Sequence, residues 1–98
     1  MTQFASAPGV RLAYDRSGAG DPPMVFVHGW GCDRSYFAPQ VSHFSRRHAM
    51  ATVDLRGHGD SDAPDPAPGA YDMAVLADDV LALAAAAPSR AGEAQHLR

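Results

Sequence analysis

A four-residue apolar run, Met24-Val25-Phe26-Val27, stops abruptly at His28-Gly29-Trp30-Gly31, and a helical pattern starts again at Asp33. This stretch constrains the fold more than any other. The run has no polar alternation, which predicts a strand buried on both faces of a parallel sheet, with a neighbour on either side. The two glycines allow backbone angles that a Cβ would forbid and let a reacting group come close to the main chain. A glycine turn of this kind is suited to holding an anion on backbone N–H groups.

The remaining segments supply neighbours for that strand. Gln3 to Ala7 and Val10 to Arg16 flank Pro8-Gly9, which predicts an N-terminal β-hairpin. In its second strand Val10, Leu12 and Tyr14 alternate with Arg11, Ala13 and Asp15, the pattern of a half-exposed strand. Ser17 to Pro23 is rich in breakers and reads as a surface loop. Asp33 to His48 predicts one helix with Phe37, Val41 and Phe44 on a shared face. Pro39 is tolerated only in the first turn, so the regular helix should begin near Ser35 or Tyr36, capped by Asp33 or Ser35. Ala49 to Leu55 is a second short apolar strand, and strand, helix and strand in this order imply a right-handed crossover between parallel strands. Arg56 to Gly69 carries too many glycines and prolines to be anything but a loop. Asp72 is expected to cap a second helix that buries Met73, Leu76, Ala77, Val80, Leu83 and Ala84 while Asp78 and Asp79 point away. From Pro88 onward no pattern persists, so the expected organisation is one folded unit over 1–87 and a disordered tail over 88–98.

Charge and composition exclude several classes of function. The chain has 98 residues, a net charge of -3 and eight basic residues, all arginine, of which only Arg46 and Arg47 are adjacent. Nucleic acid is therefore not an expected partner, because phosphate binding needs clustered cations. No apolar stretch approaches the roughly 18 residues of a membrane span, and Met1 to Val10 has neither the basic nor the apolar region of a secretion signal. A cytoplasmic protein without membrane contact is expected. Cys32, the lone cysteine, starts a helical pattern with no histidine placed beside it, and reads as a small hydrophobe. His28, Cys32, His43, His48 and His58 have no zinc-ligand spacing, so no metal and no other cofactor is expected.

A strand ending in His28-Gly29-Trp30-Gly31, one helix, and then Asp54-Leu55-Arg56-Gly57-His58-Gly59-Asp60-Ser61 together resemble the N-terminal part of an α/β-hydrolase fold protein. The resemblance covers roughly Val10 to Ala86. It implies an α/β class: a β-hairpin followed by β-α-β-α in a mostly parallel, incomplete sheet. It also implies that the Trp30 N–H is one donor of an oxyanion hole, placed by His28 and Gly29, which stabilises the charge developing on a carbonyl oxygen by about 3–4 kcal/mol. Asp54, Arg56, Gly57 and Gly59 would shape the adjacent loop.

In such proteins the nucleophile sits on a sharp strand-to-helix turn, G-x-S-x-G or a variant with Asp or Cys, after the next strand. No such turn is found before residue 98. Gly59-Asp60-Ser61-Asp62-Ala63 imitates the spacing, but it follows a loop and precedes Pro64, so Ser61 reads as a turn hydroxyl rather than a nucleophile. The general base and the acid are absent as well. The resemblance therefore implies a truncated hydrolase, inactive alone, whose complete relatives cleave ester, amide, lactone or similar bonds through an acyl-enzyme. Epoxide hydrolases and haloalkane dehalogenases, with an Asp nucleophile, share this opening half. A small ester-like substrate is expected only if the site is completed. The competing expectations are one half of a split hydrolase, completed by a separate chain, and a non-catalytic binding or assembly module. In the latter the edge of the Met24 to Val27 strand invites self-association, and the chain aggregates or is partly molten.

Overall fold

The structure is a computed structural model and describes residues 2–7 and 9–86; the tail expected over 88–98 lies outside them. Strands β1 (Thr2–Ala7) and β2 (Val10–Ser17) form the expected antiparallel hairpin, with Thr2 opposite Tyr14 and a register shift between Ala5 and Ala7. Strand β3 is Met24–Val27 and strand β4 is Met50–Val53. The four strands make one sheet in the order β1-β2-β4-β3. β3 and β4 run parallel, Met24 beside Met50, while β2 and β4 run antiparallel, Tyr14 beside Val53. The sheet is thus mixed rather than mostly parallel, because the N-terminal hairpin contributes two antiparallel pairings before the single parallel one.

β4 lies between β2 and β3 and all four of its residues are buried. The expectation of burial on both faces belongs to this strand. Among the described residues β3 is an edge strand, half-buried along its length with Val27 exposed, because β4 is the one strand that pairs with it. On one face Leu12, Tyr14, Ala51 and Val53 pack with Leu83, and Phe4 joins them. On the other, Phe26 meets Phe37 with ring centroids 5.1 Å apart and Phe44 at 6.3 Å.

The expected single helix over Asp33 to His48 is split. A 3-10 turn, Arg34–Phe37, is followed by α1, Ala38–Phe44, with the proline inside the first turn of α1. Pro39 has no N–H to give to the carbonyl of residue 35, so the helix restarts around it. Asp33 caps the 3-10 turn, its Oδ1 accepting the Ser35 N–H at 2.8 Å and the Ser35 hydroxyl at 2.5 Å. Those bonds, led by the Ser35 hydroxyl, hold the Asp33 carboxyl below its ordinary value.

Helix α2, Met73–Ala86, follows Asp72, whose backbone carbonyl accepts the N–H groups of Val75 and Leu76 at 3.0 Å. Its orientation corrects the sequence reading. The buried residues are Leu76, Asp79 and Leu83, whereas Met73, Ala77 and Ala84 are exposed. Asp79 does not point away from the core: it is 2% exposed and bound by Arg56, which donates Nε to Oδ2 at 2.6 Å and Nη2 to Oδ1 at 2.8 Å. The buried face of α2 is turned toward that ion pair. Hydrogen bonding to Asp79 raises the Arg56 guanidinium above its ordinary value, against the opposing effect of burial.

Ala13 departs from the expected alternation in β2, since it is fully buried. β4 ends opposite Tyr14, which leaves the β2 backbone at 11–13 without a strand partner on that side. The loop after β4 takes over. The Asp54 N–H donates to the Ala13 carbonyl at 2.9 Å, and the Asp62 N–H donates to the Arg11 carbonyl at 2.8 Å. In return the Arg11 N–H donates to Asp62 Oδ2 at 2.9 Å and the Ala13 N–H to Ser61 Oγ at 2.8 Å. Every backbone group this edge presents is satisfied by a loop, as buried polar groups require.

Candidate functional site

The glycine turn closes at the C-terminal end of β3. The Cys32 N–H donates to the Gly29 carbonyl at 3.1 Å, and Gly31 at the third position has φ of 87°. A side chain there would be strained, which is why glycine occupies it. The buried His28 ring fixes the start of the turn. Its Nε2 accepts the Leu55 N–H at 3.1 Å, so Nδ1 carries the proton and donates to the Gly29 carbonyl at 2.7 Å. Both ring nitrogens are therefore engaged with the main chain, one on the loop after β4 and one on the turn itself.

His58, from the loop after β4, approaches the same turn from the other side. Its Nε2 accepts the Gly31 N–H at 2.9 Å, and Nδ1–H donates to the Arg56 carbonyl at 3.0 Å. The ring stands 5.0 Å from that of His28 and meets the Trp30 indole edge-on at 4.8 Å. Tyr71 closes this side, 6.3 Å from Trp30, with its hydroxyl donating to the Pro64 carbonyl at 2.6 Å. Among the described residues, no hydrogen bond takes up the Trp30 N–H. The turn thus presents a donor at Trp30 ahead of two that are held, the N–H groups of Gly31 and Cys32.

Two depressions meet at Trp30. One is an open cleft of about 650 Å³ bordered by Gly31, Cys32, His58 and Tyr71. The other is an apolar groove of about 490 Å³ between the end of β3 and α2, lined by Val27, Leu55, Met73, Val80 and Leu81 among others. A backbone donor at the mouth of an apolar groove can bind the oxygen of a polarised carbonyl while the groove takes an apolar substituent.

Beneath the turn lies a carboxylate network. Asp54 is fully buried and accepts the Arg34 N–H at 2.6 Å and the Asp60 N–H at 2.9 Å, and the Arg34 guanidinium pairs with it directly. Arg34 also reaches Asp15 at 2.8 Å and Asp60 at 3.2 Å. Burial pulls the Arg34 guanidinium down, but its bonds to Asp15 and Asp60 and the Asp54 charge outweigh this and hold it above its ordinary value. Gly59, at φ of 50°, lies where an added Cβ would be 2.2 Å from Asp54 Oδ2. The loop can wrap the carboxylate only with glycine at that position. Arg56 and Asp79 anchor the other end of the loop, and the Arg56 Nη1 donates to the Ala70 carbonyl at 3.2 Å.

Ser61 has both hydroxyl functions engaged. Besides accepting the Ala13 N–H, its Oγ donates to the Asp54 carbonyl at 2.5 Å. It is a loop-closing hydroxyl. Cys32 is exposed beside the cleft. Among the described residues, no group of three or more His, Cys, Asp or Glu is placed to hold a metal ion, and no helix is long and apolar enough to cross a membrane. The sequence reading weighed His58 only as a zinc ligand and missed its contact with Gly31. It also missed Asp79, although the spacing of Leu76, Asp79 and Leu83 puts all three on one helical face.

The sequence matches the profile of the alpha/beta hydrolase fold over residues 22–90. It is 32% identical over 86 residues to the 2-heptyl-3-hydroxy-4-quinolone dioxygenase of Rhodococcus erythropolis, covering 85% of this chain and 31% of that protein. It is 34% identical over 80 residues to the pimeloyl-[acyl-carrier protein] methyl ester esterase of Edwardsiella ictaluri, covering 82% of this chain and 28% of the esterase. The fold is similar to the crystal structure of an alpha/beta hydrolase from Sphaerobacter thermophilus, with a TM-score of 0.75, 30% identity and coverage of 91% of this chain and 33% of that one. The chain spans between 16% and 31% of the length of the curated relatives it matches.

Proposed function

The chain belongs to the α/β-hydrolase fold family, and from that premise we propose that it forms the oxyanion-hole side of a hydrolase site for a small ester, amide, lactone or related acyl compound. The Trp30 N–H is the donor that meets the carbonyl oxygen as it becomes an oxyanion. His28 and Gly29 set its position, and the second donor follows the nucleophile in the part of the domain that lies next to β3. A cytoplasmic location belongs to the same proposal. The observation that carries this reading is the free Trp30 N–H at the mouth of an apolar groove, beside a Gly31 N–H that is already bound.

On this reading the 98 residues alone do not turn over substrate. Ser61 supports this, because its hydroxyl hydrogen is committed to the Asp54 carbonyl. The expected result is no turnover of p-nitrophenyl acetate above background by the purified chain, and none lost on Ser61→Ala. Turnover abolished by that change would overturn the proposal. The donor itself is tested by a chimera in which residues 10–86 replace the matching segment of an active esterase relative. Trp30→Pro removes the N–H at a turn position that proline favours. It is expected to lower kcat by about 10²–10³-fold with KM little changed. An unchanged kcat would remove Trp30 from the oxyanion hole. Relatives with this opening half include an esterase, a dioxygenase and an epoxide hydrolase; the backbone donor at Trp30 favours acyl transfer for this chain, and epoxide opening by an Asp nucleophile is its alternative.

A second reading, assembly through β3, is favoured by where the exposed apolar side chains lie. Val27, Trp30, Met73 and Leu81 are 40%, 66%, 78% and 66% exposed, and all four line the one groove beside the unpaired edge of β3. β3 carries no charge or proline to discourage pairing. Sedimentation is expected to give an oligomer that Val27→Lys returns to a monomer. A sharply unfolding monomer before the substitution would defeat this reading. Co-purification of a chain bearing a strand followed by G-x-S-x-G would instead identify a split enzyme.

A further inference from the structure

We infer that His58 is a positioning residue that sorts the N–H groups of the glycine turn, holding the Gly31 N–H on Nε2 and leaving the Trp30 N–H free for an anion. For its purpose the inference rests on the oxyanion reading; its geometry stands without it.

Two consecutive N–H groups at the centre of a turn can both donate to one oxygen or to water. Here they are made unequal by a side chain 27 residues away in sequence. The Nε2 lone pair that receives the Gly31 N–H at 2.9 Å also repels an oxyanion from that side, so the anion is directed to Trp30. The acceptor state of Nε2 is enforced at the other end of the ring, where Nδ1–H donates to the Arg56 carbonyl at 3.0 Å. Arg56 is itself fixed by Asp79. The ring cannot tilt freely, since His28 lies on one side at 5.0 Å and Trp30 stands edge-on at 4.8 Å. A chain of fixed groups therefore runs from α2 to the turn: Asp79, Arg56, His58, Gly31.

The same arrangement makes the turn sensitive to one proton. An imidazolium has no lone pair at Nε2, so a protonated His58 cannot accept the Gly31 N–H. The titratable and charged groups around it are His28, across the ring contact, Arg56 on its own loop, and Cys32, Asp33 and Tyr71, which border the cleft with it. Protonation of His58 frees the Gly31 N–H, adds a positive charge beside the turn and removes the distinction between the two donors. The Nε2 of His28 accepts a different amide, that of Leu55, so the two histidines can be read separately.

The test uses the full chain, isotopically labelled, with imidazole nitrogens followed by NMR and amide exchange read residue by residue. Above neutral pH, His58 is expected as the Nδ1–H tautomer. The Gly31 amide should exchange about tenfold or more slowly than the Trp30 amide, the difference one hydrogen bond makes. As the pH is lowered, Gly31 exchange, corrected for the intrinsic effect of pH, should accelerate in step with the appearance of a proton on His58 Nε2 in the nitrogen spectrum, and not with any change at His28. His58→Ala should remove the Gly31 protection at high pH, and His58→Gln, which keeps an acceptor oxygen, should restore part of it. An Nε2–H tautomer, or Gly31 exchange that does not follow His58, would overturn the inference in the unmutated chain even if the alanine variant fails to fold. A chimera unaffected by Trp30→Pro would sink the oxyanion reading and leave the Gly31 result unchanged, so the two failures are distinguishable.

Discussion

Asp79→Ala is expected to destabilise the chain by about 3–5 kcal/mol, because it leaves the Arg56 guanidinium buried without its counter-charge. Native domains have only about 5–15 kcal/mol in total, and a small one sits at the low end, so most of the population should unfold. Arg56 is 6% exposed and Asp79 2%, so neither can turn to water without opening the packing of α2 on the sheet. The bidentate contact of Nε and Nη2 with both carboxylate oxygens also supplies the geometry that favours such a pair. Urea titration followed by circular dichroism measures the change. Replacing both partners by apolar residues, Arg56→Met with Asp79→Leu, should recover most of the loss, since apolar packing can substitute for a buried pair. A midpoint unmoved by Asp79→Ala would mean that the guanidinium finds water, and that α2 is held by Leu76 and Leu83 alone.

Asp54 is the second such point. Its carboxylate takes the backbone N–H groups of Arg34 and Asp60 as well as the Arg34 guanidinium, so Asp54→Ala orphans two amides and a cation together. A loss of about 3 kcal/mol is expected, each orphaned group costing about 1–3 kcal/mol and Arg34 partly recovering through Asp15 and Asp60. Gly59→Ala should approach the same loss by another route, since its Cβ would fall 2.2 Å from Asp54 Oδ2. The two changes are predicted not to add. With the carboxylate gone the clash is relieved, leaving Gly59→Ala only about 1–2 kcal/mol for its positive φ. Thermal midpoints of the two single variants and the double variant check this; simple additivity would show that the loop avoids the carboxylate by moving elsewhere.

The order of elements was legible because strand and helix periods differ and glycine and proline mark where each ends. Met24 to Val27, Met50 to Val53 and the turn at His28 to Gly31 fall where the pattern places them. Position within the sheet was not legible. Two short apolar runs look alike in sequence, yet β4 has neighbours on both sides and β3 has one. The α2 face is hidden for a related reason: periodicity alone puts apolar residues inward and both aspartates outward, while the partner that brings Asp79 inside lies 23 residues away in a loop. Ala13 carries no signal that a loop hydroxyl will cover it. At the candidate site, the glycine turn could be read from the residues themselves, whereas the acyl-transfer expectation rested on the family resemblance. The pairing of His58 with Gly31 could not, because it depends on how two loops face each other across β3 and β4.

The loop that continues the edge of β2 has a kinetic consequence. The bonds that fasten Arg11 and Ala13 join residues 51 and 48 positions apart, so closing them requires nearly all the intervening chain to be in place. Such non-local pairing slows folding. The hairpin is synthesised first, but its β2 strand waits for β4 on one stretch and for Ser61 and Asp62 on the next. The part of the sheet that leaves the ribosome earliest is therefore among the last to be secured.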